Sequence, residues 1–190
     1  MLSFIKHLFS NNQNTILMKN KKWTKNLIKV YIAPMEIYPD INEDIKYREM
    51  VTDALSTWSA ASGGKLRFQI TDILTESDIN VSWKTADGEA LGHCSLNLDK
   101  HSGISGAGIS IGLYTKRIEG IDYDTEIYHG ILHCVGVALG VSQTDNPDDI
   151  MCIPHQYGKI ELSENDKKAI YDLYNPIKES ATNQEQLIIS

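Results

Sequence analysis

Two histidines, His129 and His133, stand four residues apart in "HGILHCVGVALGVSQTDNPDDIM". On a helix that spacing puts them about 40° apart on one face, close enough for both imidazoles to reach one ion. The same stretch carries a thiol, Cys134, directly after the second histidine. It also has two glycines at helical spacing, Gly136 and Gly140, and closes on a polar turn and Met151. This is the residue set of a metal centre built on a helix and the turn that follows it.

The frame against which it is read is H-E-x-x-H-x-x-G-x-x-H with a later methionine turn. In that frame two histidines bind zinc from one helix face, the glycine ends the helix, and the chain turns back to deliver a third. The glutamate takes the proton of the metal-bound water, whose pKa the ion has lowered to about 7. Laid on this chain from His133, the frame retains the first ligand and the glycine, Gly140. Cys134 occupies the general-base position, Val137 the second ligand position and Gln143 the third. An isopropyl group donates nothing to zinc, and an amide oxygen is a weak ligand beside the usual nitrogen, sulfur and carboxylate set. Cys134 lies about 100° round the helix from His133, so the two side chains do not aim at one ion, and a structural thiol is its expected role.

A second register starts at His129, with Gly130 in the base position, His133 and Gly136 in place, and Leu139 at the third ligand. It keeps two histidines but moves Gly140 and Met151 off the frame by four residues. As chemistry it stands whatever the alignment, because His129 and His133 can share an ion, with a third ligand drawn from His93, His155 or Cys152. The bland reading is that His133 is a relic and His129 a histidine bonded to backbone.

Elements able to position these residues are legible along the chain. "LIKVYIAP" alternates, is β-branched and ends at Pro34, which makes it a strand. From Asn42 to about Ser62, apolar residues recur at steps of three and four, with Glu43 and Asp44 in the first turn and Gly63-Gly64 beyond the end, so a helix is expected. "KLRFQIT" and "DINVSWK" read as short strands, and "GEALGHCSLN" as a third with Gly92 inside it. "HSGISGAG" reads as a glycine-rich loop leading into the strand "ISIGLY". It is no phosphate loop, lacking the Gly-Lys-Ser/Thr end and a following helix. A helix is expected from Asp124 to Leu139, with Gly140 as its left-handed terminator. A last helix begins at "LSENDKKAIYDLY", where Ser163 and Asp166 have capping-box spacing.

With these elements in order, "GVALGVSQTDNPDDIM" resembles the matrixins of the metzincin clan, whose site helix runs through Ala-Leu-Gly to a polar turn and Ile-Met. "ALSTWSAASGGKLRFQI", "SDINVSW", "ADGEALGHC", "PHQYG" and "LSENDKKAIYDLY" resemble successive further parts of that family. The resemblance spans about residues 27 to 175. It implies an α/β fold with a twisted mixed sheet of about five strands, a long helix, a site helix, a methionine turn at Met151 and a C-terminal helix. It also implies zinc-dependent peptide hydrolysis as the family activity. Because two of three ligands and the glutamate are replaced, the expectation for this chain is a catalytically inactive pseudopeptidase in which zinc is absent or weakly bound. An extended peptide or protein segment at the sheet edge is the expected partner. The alternatives are a zinc endopeptidase with a displaced site on His129 and His133, and a purely structural domain.

The expected organisation is a flexible arm over residues 1–24, one domain over 25–175 and a tail over 176–190. The 190 residues suffice to bury a core without metal or disulfides. A formal charge of -7 offers no footprint for nucleic acid. No apolar run reaches membrane-spanning length. Three cysteines, Cys94, Cys134 and Cys152, at irregular spacing do not describe a disulfide framework. The N-terminus lacks the apolar run and cleavage site of a signal peptide, although members of the resembled family are usually secreted.

Overall fold

The computed structural model describes residues 21–38, 40–86, 92–101, 103–115, 122–156 and 158–176. Five strands and three α-helices are present among them: β1 (Leu27–Ile32), α1 (Ile41–Ala61), β2 (Arg67–Ile70), β3 (Ile79–Thr85), β4 (Gly92–Leu98), β5 (Ile104–Leu113), α2 (Tyr123–Ala138) and α3 (Glu164–Tyr174). A single sheet runs in the order β2-β1-β3-β5-β4. Its first four strands are parallel, and β4 pairs antiparallel with β5 at the edge.

The register explains which face is buried. Val30 lies beside Ile79 and Ile32 beside Val81. Ile79 and Val81 in turn lie beside Ala107 and Ile109, and all of these are buried. Side chains alternate along each strand, so Gly92, Cys94 and Leu96 of β4, opposite Ile111, Ile109 and Ala107, share this face. His93 points the other way and is exposed.

The helices cover the apolar face through one-sided stripes. In α1 the buried residues are Tyr47, Val51, Ala54, Leu55 and Trp58, at helical spacing. Asp40 caps α1 by accepting from Asn42 N–H. In α2 burial runs almost all round, from Ile127 to Ala138, as expected of a helix held between a sheet and other elements. Trp58 Nε1 donates to the Leu132 carbonyl at 2.9 Å and so fixes α1 on α2.

Two expectations are corrected. "HSGISGAG" is not a loop, because from Ile104 it is already strand β5. The glycines suit that strand: a Cβ at Gly106 would lie 3.2 Å from the Asn97 side chain and one at Gly108 3.0 Å from Ser95 Oγ, so the neighbouring strand's polar side chains fill the space. The folded domain also takes in residues ahead of position 25. Trp23 is 3% exposed, its Nε1 donates to the Ala138 carbonyl, and Lys22 O accepts from Ile104 N–H. Burying the indole outweighs the cost of ordering four residues of chain. Residues 1–20 and 177–190 lie outside the described residues.

Candidate functional site

The site helix ends where the frame beginning at His133 requires. Regular helix stops at Ala138, Leu139 is the C-cap, and Gly140 follows at φ 85°. A Cβ at Gly140 would run into the carbonyl of Lys21, so both the backbone conformation and the space call for glycine. Gly136, the glycine of the other register, lies inside the helix.

Met151 is fully buried below this helix. A Cβ at Gly136 would lie 2.5 Å from Met151 Sδ and 2.7 Å from the Trp58 ring, so Gly136 is the gap into which the turn and the tryptophan pack. Two buried carboxylates hold the turn. Asp166 accepts from the backbone N–H of Ile150 at 2.7 Å, of Met151 at 3.3 Å and of Ser163 at 3.0 Å. Asp149 accepts from Thr144 Oγ1, Asn146 Nδ2 and Ser163 Oγ. Sequence spacing identified Asp166 as a capping residue, which it is. Its second task, tying α3 to the methionine turn, had no local sequence signal.

Each position of the family frame has a definite environment. His133 is 1% exposed, and its Nδ1 donates to the Ile150 carbonyl at 2.9 Å. Cys134 is 2% exposed and faces β4, where a Cβ added at Gly92 would collide with its Sγ. Burial pushes its thiol up to about 12, so it is neutral at physiological pH and takes no proton. Val137 is half-buried and packs against the core cluster. Gln143 is half-buried in the connection before Thr144, which bridges to Cys152. One imidazole, a thiol, an isopropyl group and an amide do not fit zinc as the family frame would hold it.

Three other imidazole positions were open from sequence, and the structure selects one. His155, from the segment after the turn, stands edge-on to both helix histidines: its ring centre is 4.3 Å from that of His133 and 5.6 Å from that of His129. His93 lies on the opposite sheet face, and Cys152 Sγ is turned to the Pro154 carbonyl. His129 is fully buried, and its Nδ1 donates to the Lys159 carbonyl at 3.0 Å.

A carbonyl only accepts, so the proton of each neutral helix histidine sits on Nδ1 and the lone pair on Nε2. Burial is the main cause of a lowered pKa in all three rings: His133 falls to about 4 and His155 to about 3, with neighbouring imidazoles adding to the effect, while His129 is lowered by burial against an opposing bond to Lys159. As the rings stand, packed against one another, no group of three or more His, Cys, Asp or Glu among the described residues is set to hold a metal ion.

No helix among the described residues is long and apolar enough to cross a membrane. The sequence model of the matrixins matches residues 22–175. No curated protein matches the chain.

Proposed function

The chain belongs to the matrixin family, and we propose that within it this is a pseudopeptidase, a metallopeptidase-fold domain that does not hydrolyse peptide bonds at the family's centre. The observation that carries this reading is the environment of Cys134. The family places a carboxylate there to take a proton from water; here a neutral thiol is packed against Gly92. General-base catalysis contributes about 10²–10⁴-fold and metal activation of water further orders of magnitude, and at the family positions both are missing. A displaced endopeptidase on His129 and His133 would meet the same gap, since Gly130 follows His129.

An extended peptide is the partner the fold suits. Strand β4 is the antiparallel edge of the sheet, beside the site helix, and an edge strand offers a row of backbone donors and acceptors to an added strand. Incubating the full chain with a peptide library, with and without chelator, should give no cleavage above background by mass spectrometry. Chelator-sensitive cleavage that disappears in His133→Ala would overturn the reading. Saturable binding of uncleaved extended peptides, weakened by proline in the peptide backbone, separates a pseudopeptidase from a purely structural domain.

A further inference from the structure

The family frame explains His133 but not His129 or His155. Both lie outside the ligand positions of the matched motif, yet they come together with His133 from two elements separated by the whole methionine turn. Two of the three rings are pinned through Nδ1 to backbone carbonyls. Hydrogen bonding of this kind is how proteins orient imidazole ligands, because it fixes the tautomer and presents Nε2. The Nε2 atoms of His129 and His133 and the Nδ1 of His155 are all buried.

We infer that His129, His133 and His155 form a divalent-cation site displaced from the family centre, taking zinc through three neutral imidazoles. Zinc–nitrogen bonds of about 2.0–2.1 Å in a tetrahedral arrangement put imidazole ring centres about 5 Å apart. The His129–His155 separation of 5.6 Å already suits an ion between the rings. The His133–His155 separation of 4.3 Å is the closed, edge-to-face packing of two rings with nothing between them. Opening it to coordination distance takes a shift of about 1 Å. His155 is the member able to make that shift, being half-exposed and outside regular secondary structure, whereas the other two are locked in α2.

Donor chemistry selects the ion. Three imidazoles suit zinc, copper and nickel and discriminate against magnesium and calcium, which prefer carboxylate and carbonyl oxygens. Burial also keeps the rings neutral at physiological pH, so no proton has to be displaced before an ion binds. The site binds without family-type hydrolysis, since Gly130 and not a carboxylate follows its first ligand.

This inference rests on the reading that the family frame itself lacks a ligand set, and the experiment tests the two separately. The chelator-stripped full chain is titrated with zinc against a chromophoric competitor, and with cobalt as a spectroscopic substitute. One zinc per chain is expected, with visible cobalt bands of the intensity of low coordination number. His155→Ala and, independently, His155→Gln should weaken zinc by at least about tenfold, as loss of one of three ligands implies, while Gln143→Ala leaves it unchanged. Failure to hold zinc at micromolar concentration, or affinity indifferent to both His155 variants, overturns the displaced site. Zinc that survives at His155→Ala and is lost at Gln143→Ala would place the ion in the family frame and overturn the pseudopeptidase reading as well.

Discussion

Met151 Sδ lies directly under Gly136, so close that a Cβ there would stand 2.5 Å from the sulfur. The methionine turn and the site helix are therefore fitted to each other through an absent side chain. Gly136→Ala should destabilise the domain even though alanine is the better helix former by about 1 kcal/mol. Met151 could yield, but the Trp58 ring, 2.7 Å from the same Cβ, is pinned by its bond to the Leu132 carbonyl. Overpacking of this kind costs about 1–3 kcal/mol. Denaturant titration of Gly136→Ala, Met151→Ala and the double variant checks it: the double variant should be more stable than the sum of the single effects predicts, and strict additivity would mean that the two residues do not share this space.

Asp166 is expected to matter more than an ordinary capping residue. Its carboxylate accepts three backbone N–H groups, two of them in the methionine turn. Asp166→Ala strands those donors in a buried place, at a cost of about 1–3 kcal/mol for each that finds no other acceptor. Glu164→Ala, on an exposed neighbour in the same first turn, serves as the comparison and should change stability by no more than about 0.5 kcal/mol. Equal effects in the two variants by chemical denaturation would refute the second role.

Alkaline pH should weaken the fold before any lysine titrates. Burial, and then the nearby Cys134, hold the Cys94 thiol above its ordinary range, and burial likewise raises the Tyr174 phenol, whose hydroxyl donates to the Leu139 carbonyl. In the unfolded chain these groups lose their protons near about 8.5 and 10. Above those values the unfolded state binds fewer protons than the folded one, so stability falls as pH rises from about 8.5. Urea midpoints measured between pH 7.5 and 10.5 should decline, and Cys94→Ala should remove the earlier part of the decline. A midpoint that stays level over that range contradicts the assignment.

Strands and helices were legible wherever burial was one-sided, because β-branched alternation in β1 and the three- and four-residue steps of α1 encode a single buried face. The start of β5 was not, since Gly106 and Gly108 have the composition of a loop, and their reason for being there is the side chains of Asn97 and Ser95 on the next strand. Trp23 was hidden among lysines, with no period to mark it. At the site, the frame from His133 predicted the turn at Gly140, which is a local property of the backbone. The sequence offered three candidates to join His129 and His133; choosing His155 depends on where the chain returns after the methionine turn, which spacing alone does not encode. The packing of Cys134 on Gly92 is long-range in the same sense.

Restoring the family centre is the most demanding test of the frame. Val137→His and Gln143→His would add two imidazoles at the ligand positions beside His133, on a backbone whose helix ends and turns at Gly140 as the frame requires. The native histidines would compete for the ion, so the pair is made on a His155→Ala background. Zinc affinity should then rise steeply only when both substitutions are present, because two imidazoles leave an ion mostly hydrated, while three approach the ligand number of a catalytic zinc site. Hydrolysis should remain absent at that stage. Adding Cys134→Glu supplies a base but must place a carboxylate where the thiol packs on Gly92, so it should lower stability and yield at most slow cleavage, and Cys134→Glu without the two histidines should yield none. Zinc affinity and peptide cleavage are measured side by side across the series. A folded Val137→His, Gln143→His, His155→Ala chain that holds zinc no better than His155→Ala alone would show that position 143 does not return to the helix face, and that the frame counted from His133 fails at its third ligand.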